Sequence, residues 1–540
     1  MEFKQLLKKE ILVVISAIIL FSITLSISEI FLEKPTIAYA SENVAEINTV
    51  QEFETALKNK TITTINVNKS IQLKCNIVDI PNRDVTINGN KQNGVVINSG
   101  HYSIYGKQNY NGTNIFSVKN IKIIGADNDG RFFTGGAGNG PSSYGWNVDA
   151  EDVHYTGARF VHLSEGKLRF SGKDNNVNTR AENAWVHDLE FLPGTIYNGV
   201  AANKDHGQFS AFYFNGALIK GKATGEAIIG DNANINVKIG PQSTVNHYYP
   251  VFYDKVQKVD VGEDAVFNVD AAGVAFQFIP RADYVNKVPT FNLAKGSKVH
   301  LNGRGGGNYS TIKLQYYGAE VNLEPNAELI VVGDSSKSVI ESEYKGVTIN
   351  LRNPTNFEVA NRRPNSKLFY STNTKINGAN IDCISAWKQI GGEYQTPAAE
   401  SFQGGQGFTI DFGKLCDSKT LFIMGDLSGN QKFSLEDYGK LSLKGAEPKQ
   451  EEPEKPIENT KVVIVTRHYV DDLKSNKGFR FYKEKRYTVE EGSYVQINSY
   501  KLDFSFTEHS YVGADRGNFI ASRNENPKVI NYRYYAEVDF

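Results

Sequence analysis

The sequence predicts an all-β protein: a parallel β-helix with three strands and about 30 residues per turn, followed by a small separate β domain. Three observations predict it. The string apolar-x-x-polar-small-x-apolar-x-apolar recurs from Ile229, Val261, Leu293, Leu323 and Leu351, at separations of 32, 32, 30 and 28 residues. Each copy follows an alternating apolar pair, and a third apolar run lies between copies, as in Val274-x-Phe276-x-Phe278, Ile312-x-Leu314 and Leu368-Phe369-Tyr370. One period therefore holds three short strands with one face turned inward. Composition agrees: Phe (31), Tyr (28) and Gly (48) are plentiful, while Met (2) and Pro (16) are sparse, which favours strands and tight corners over helices. Propeller blades of about 40 residues or more fit the period less well.

In chain order, Lys4, Lys8 and Lys9 precede the apolar run Ile11–Ile27 and a small-residue site, Ala38-Tyr39-Ala40. This reads as a secretory signal peptide over residues 1–40, with an uncleaved anchor as the competing reading. In VQEFETALKN, Val50, Phe53 and Leu57 lie at helical spacing, and a short amphipathic helix there would cover the exposed edge of the first turn. The β-helix is expected over 41–444, with some ten turns between Thr61 and Trp387. The stretch Asp127–Lys204, rich in Gly and aromatics, breaks the rhythm and reads either as longer loops or as poorly patterned turns. GAEPKQEEPEKPIENT, Gly445 to Thr460, holds five Glu and three Pro and reads as a linker over 445–460. KVVIVTRHYV, KRYTVEEGSYVQI and KVINYRYYAEVDF return to β patterning, so 461–540 is expected to be a small β module.

The formal net charge of -1 argues against a nucleic-acid or anionic-membrane partner recruited by bulk charge. No second spanning segment follows the signal sequence. Cys75, Cys383 and Cys416 define no disulfide framework: a Cys383–Cys416 bridge and three isolated buried thiols both remain open.

VQEFETALKN with ITTINVNKSIQL, the VTINGN corner, and the period ending in FEVANRRPNSKLFY together resemble the pectate-lyase-like adhesive domain of Gram-positive surface proteins, over roughly Val44 to Tyr394. The resemblance implies a right-handed parallel β-helix at the cell surface that adheres to an extracellular glycan or a host or matrix protein. HYVDD, YTVEEGSYV and VINYRYY look like the small mucin-binding-type β modules of such proteins, which implies a C-terminal module able to associate with the cell wall or dock a partner. Surface proteins of this kind often end in a Leu-Pro-x-Thr-Gly sorting signal. Here the last residues are Ala536-Glu537-Val538-Asp539-Phe540, and covalent wall anchoring is not expected.

No catalytic, cofactor-binding or metal-ligating residue is assigned. A lyase on this scaffold would need converging carboxylates to hold Ca²⁺ against a uronate and an Arg or Lys to take the α proton. Asp127, Asp129, Asp149, Glu151, Asp152 and Arg281 supply the residue types, but solvated corner carboxylates are the expectation. A glycoside hydrolase would need only two carboxyls across a groove, which sixty acidic residues provide by chance. His154, His162 and His187 lack metal-ligand spacing. Asp426, Ser428, Asn430, Ser434 and Asp437 occupy positions 1, 3, 5, 9 and 12 of an oxygen-ligand loop. However, Gln431 replaces the glycine of position 6, and a plain turn is the simpler reading. Tyr248-Tyr249, Phe252-Tyr253 and Tyr316-Tyr317 could stack on sugars, but core packing is expected for each. The expected function is that of a non-enzymatic secreted or cell-surface adhesin. A polysaccharide lyase or hydrolase and a scaffold docking through its C-terminal module are the alternatives.

Overall fold

A computed structural model of the chain describes residues 38–41, 43–90, 94–128, 130–135, 144–163, 165–204, 209–214, 225–241, 248–279, 288–304, 309–314, 319–342, 346–364, 366–371, 374–390, 393–403, 407–411, 420–425, 431–434, 438–446, 461–471, 479–490, 494–495, 509–514, 519–520 and 528–536. It divides into two compact units, Met1–Glu447 and Pro448–Phe540. The first is a parallel β-helix.

The first sheet runs Val44–Ile47, Thr64–Val67, Val85–Asn88, the first halves of Asn114–Gly125 and Trp146–Gly157, then Lys167–Ser171, Asp188–Phe191, Gly225–Ile229, Val256–Val261, Thr290–Leu293, Glu320–Leu323, Thr348–Arg352 and Lys375–Ala379, each parallel to the one before. Twelve of these thirteen strands lie between Thr61 and Trp387, more than the ten turns the period predicts. The excess comes from short turns, since Val148, Leu168 and Leu189 stack only 20 and 21 residues apart. Asp127–Lys204 is therefore largely made of ordinary turns rather than long loops.

The five repeat starts stack in one register, Ile229 on Val261 on Leu293 on Leu323 on Leu351. Upstream the same inward column continues through Phe191, Phe170, Ala150, Val118, Ile87, Ile65 and Ala45. All are at most 1% exposed, and burying each large member contributes about 1.5–3 kcal/mol. After each strand the chain bends with a residue in the left-handed region, at Asn232, Asp264, Gly296 and Asn326, with φ of 57°, 54°, 71° and 63°. In the fifth copy Pro354 stands at that position and cannot adopt positive φ, and the bend moves one residue back to Asn353 (φ 48°).

The second sheet follows each corner, from Ile71–Gln72 through Asn175–Thr179 and Val266–Ala271 to Asn356–Asn361. Asn175, fully buried at the corner, ties three turns together. Its Nδ2 donates to the carbonyls of Ser171 (2.7 Å) and Ile196 (3.1 Å), and its Oδ1 accepts from the Val153 amide (3.2 Å). The third sheet is made of short strands: Ile77–Ile80, Ile104–Gly106, Arg131–Thr134, Arg159–His162, Ala184–Val186, Phe212–Phe214 and Phe252–Asp254 pair in parallel, as do Phe276–Phe278, Ile312–Leu314, Ser338–Ser342 and Lys367–Ser371. The Val251 amide donates to Ala275 (3.0 Å), carrying the stack from one group to the next.

Both ends of the stack are closed. At the start, helix α1 (Val50–Lys58) is opened by a capping box between Thr49 and Glu52, and it buries Phe53, Ala56 and Leu57, as the apolar spacing predicts. Arg83 holds its last turn, donating to the Ala56 and Leu57 carbonyls at 3.2 and 2.9 Å. Burial pulls its guanidinium down to about 10. Ala38–Ser41, where signal cleavage is expected, pairs antiparallel with Val44–Ile47, while residues 1–37 lie outside the described residues. At the far end the pairing turns antiparallel: Gly407–Asp411 lies on Lys375–Ala379, and Tyr438–Gly445 lies on Asn356–Asn361 and Ile381–Ile390. Phe408 closes the inward column. A Cβ on Gly378 would lie 2.3 Å from its ring.

In the second unit Lys461–Asp471 sits between Phe479–Glu490, antiparallel, and Lys528–Ala536, parallel, with His509–Ala514 antiparallel on the latter. Of the linker expected over 445–460, Gly445 still belongs to the strand Tyr438–Gly445, and residues 447–460 lie outside the described residues.

Candidate functional site

The three outward faces of the β-helix differ in chemistry. On the first sheet, Arg169 clasps Asp149 through two bonds of 2.6 Å, Lys119 pairs with Glu151 at 2.8 Å, and Lys167 with Glu190 at 3.3 Å. Further along, side-chain amides form a ladder: Asn292 donates to Asp260, Asn322 to Asn292, Asn350 to Asn322 and Asn377 to Asn350, at 2.8–2.9 Å. A groove of about 530 Å³ runs beside it, lined among others by Asp231, Glu320, Glu324 and Arg352. The second sheet carries a shorter ladder, Asn268 to Asn236 to Asn198. These amides spend their hydrogen bonds on one another, which clamps successive turns together.

The third sheet presents a different row. Strand register places Tyr105, Thr134, His162, Trp185, Tyr213 and Tyr253 one above another on its outward side, and Gln277, Lys313, Glu341 and Tyr370 follow in the next group. The rings touch in sequence: His162 and Trp185 at 4.5 Å between centroids, Trp185 and Tyr213 at 5.0 Å, Tyr213 and Tyr253 at 5.6 Å. Tyr249 adds its edge to Tyr253 at 4.8 Å, and Tyr248 bridges Tyr249 and Tyr309 at 5.4 Å each. Trp185, Tyr213, Tyr248, Tyr249 and Tyr253 are half-buried.

A cation closes each end. The Arg159 guanidinium lies 4.3 Å over the Trp185 ring while bonding Glu182 at 2.5 and 3.2 Å. The Lys313 ammonium, 7% exposed, rests 5.0 Å over Tyr248 and 5.8 Å over Tyr309. Such contacts contribute about 1–2 kcal/mol when desolvated. His162, only 3% exposed, has its pKa pulled down to about 3 by burial, with Arg131 and Arg159 adding to the effect, so it is neutral at physiological pH. The row also carries buried polar atoms with no hydrogen-bond partner among the described residues: Thr134 Oγ1, Trp185 Nε1 and Gln277 Oε1. Leaving such a group unpaired costs about 1–3 kcal/mol.

The described acidic candidates do not converge. Asp149 and Glu151 are paired on the first sheet, and Asp152 turns the first corner, accepting from the Lys173 and Asp174 amides at 2.7 and 2.8 Å. Asp127 pairs with Lys204 near the cleft, of about 250 Å³, that holds Arg131, Arg159 and Arg180. Asp149 and Glu151 thus sit in ion pairs on a strand face, not in solvated corners, whereas Glu263 and Asp264 are exposed corner residues. Among the described residues no three His, Cys, Asp or Glu side chains gather to hold a metal ion. Asp129, Arg281, Tyr316, Tyr317 and Cys416 lie outside the described residues, as does the oxygen-ligand loop except for the strand at Gln431–Ser434. Cys75 is exposed, contrary to the reading of three buried thiols. His154 bonds Asp174 at 2.8 Å, and buried His187 lies 3.1 Å from Asp188. Phe252 is core, as expected, but its neighbour Tyr253 faces outward.

Trp185 and Tyr213 escape sequence reasoning. The row is spaced 28, 40, 24 and 36 residues from Trp185 to Lys313, because insertions of unequal length flank the third strands. The available signal is the triplet itself, AWV, FYF, FYD, FQF and IKL, with its middle residue facing out.

Fold and row together define a parallel β-helix with a solvent-facing aromatic strip. Residues 44–162 match the family described as "Putative pectate lyase-like adhesive domain", the first part of the wider region over which the sequence resembles it. The solved structure of L. reuteri 53608 SRRP aligns with 60% of this chain and 98% of its own, at 14% identity and a TM-score of 0.25, a likeness too slight to carry an argument. No curated protein matches the chain. Among the described residues no helix is long and apolar enough to cross a membrane.

Proposed function

We propose that the chain is a secreted, cell-surface-associated and non-enzymatic adhesin whose β-helix presents its third face to an extracellular glycan or protein. The observation that carries this reading is the outward row from His162 to Tyr253, aromatic and polar at once, on a rigid scaffold. The adhesive-domain match over 44–162 supports it. Binding faces of this kind combine apolar surface with a few placed polar groups. The C-terminal unit, which has its own sheet, attaches the β-helix to a partner or to the cell wall.

The test is a glycan and extracellular-protein array probed with the full chain, with and without Ca²⁺, alongside an assay for unsaturated products from polygalacturonate. Specific retention without bond cleavage is expected. Release of unsaturated products would place a lyase on the scaffold instead. Deleting Lys461–Phe540 should abolish attachment to the producing cell while leaving ligand retention by the β-helix intact.

A further inference from the structure

Of the three outward faces, only the third carries, among the described residues, a row of half-buried aromatic rings in mutual contact. From Thr134 through His162, Trp185, Tyr213 and Tyr253 to Gln277, six successive outward positions carry no formal charge at neutral pH. The corresponding positions of the first sheet are full of ion pairs. These six positions offer a charged polymer no charge to pair with; of the cations at the two ends, Arg159 is bonded to Glu182 and the buried Lys313 ammonium rests on the Tyr248 and Tyr309 rings. A pyranose chain without charge offers what the row lacks: C–H faces for the Trp185, Tyr213 and Tyr253 rings, and hydroxyls that both donate and accept. The half-buried rings of Trp185, Tyr213 and Tyr253, one per turn at about 4.8 Å, span roughly 10 Å, which fits about two linked sugar rings lying parallel to the helix axis.

We infer that this row is the binding site for an uncharged polysaccharide strand running along the third face. The inference rests on the adhesin reading and adds the ligand class and the residues that meet it. Electrophoresis of the full chain through gels containing neutral polysaccharides (a β-glucan, a galactomannan, a mannan) or acidic ones (polygalacturonate, hyaluronan) tests it. The expected result is retardation in at least one neutral gel, insensitive to added salt. Y213A/Y253A should weaken that retention about tenfold or more, as loss of two stacking rings predicts, and Y213F/Y253F should weaken it less. E324A/R352A, which removes an ion pair beside the first-sheet groove, should change nothing. Circular dichroism and the unfolding midpoint establish that each variant is folded. Retardation confined to acidic gels, retention unchanged in Y213A/Y253A, or binding to an arrayed protein alone overturns the inference and leaves the adhesin reading standing. Retention by no polysaccharide and no arrayed protein overturns both.

Discussion

Replacing Asn175 with Ala should be among the most damaging single changes in the β-helix. The side chain is 0% exposed and makes three hydrogen bonds, to Ser171 and Ile196 carbonyls and from the Val153 amide. Each bond contributes about 1 kcal/mol net, and each partner left buried and unpaired costs about 1–3 kcal/mol. A water entering the vacated space can satisfy some of them, so the loss should be about 3–5 kcal/mol. Asn175→Asp is a second probe: its carboxylate still accepts from Val153 but faces two carbonyl oxygens, so it should lose at least as much. Guanidinium unfolding followed by the fluorescence of Trp146, in the preceding turn, and Trp185, in the same turn as Asn175, reads the change. Because turns of a solenoid are coupled only to their neighbours, the transition should also split in the variant. A loss below about 1 kcal/mol, or one no larger than that of the exposed Asn178→Ala, would refute the idea that this amide clamps three turns.

Three further outcomes follow from the same geometry. Asn326, at φ 63°, should lose about 1 kcal/mol of unfolding free energy as Ala and almost none as Gly. Gly296→Ala should cost more, because its Cβ would lie 2.1 Å from Asp264 Oδ1 besides sitting at φ 71°; adding Asp264→Ala should recover the steric part in a double-mutant cycle. For His162 the folded pKa, about 3, lies below the ordinary histidine value. Its neutral form is therefore favoured in the fold, and stability should fall as pH drops from about 6.5 towards 3, by up to about 1.4 kcal/mol per pH unit. His162→Gln should flatten that slope in pH-dependent unfolding of the β-helix, and an unchanged slope would mean that His162 titrates normally.

The β-helix was legible wherever turns are of nearly equal length. From Ile229 to Val359 the inward columns, and every corner but the one at Pro354, fall where the period puts them, because short corners leave each apolar residue in phase with the one below. Where the turn shrinks to 20 residues, at Val148 and Leu168, or swells to 38, between Leu189 and Ala227, the period vanishes although the stacking does not. The aromatic strip suffered most, since it lies on the sheet whose flanking segments vary most in length. Tyr253 illustrates a second limit. Composition cannot tell an inward from an outward aromatic when a strand is three residues long, and only register with Tyr213 settles its side. The acidic residues show the converse: Asp149 and Asp152 are three apart in sequence yet lie on a face and in a corner, with separate partners.

The closure of both ends also bears on how such a protein can change. A stack bounded by helix α1 at one end and antiparallel strands at the other has its number of turns set by the interior alone, with neither boundary taking part. Duplicating one in-register unit, such as the 32 residues from Val261 to Asn292, would lengthen the molecule by about one 4.8 Å step and extend every outward row by one position. Reach is thus a dial turned by copying a single segment, and evolution or an engineer could set it without redesigning either end.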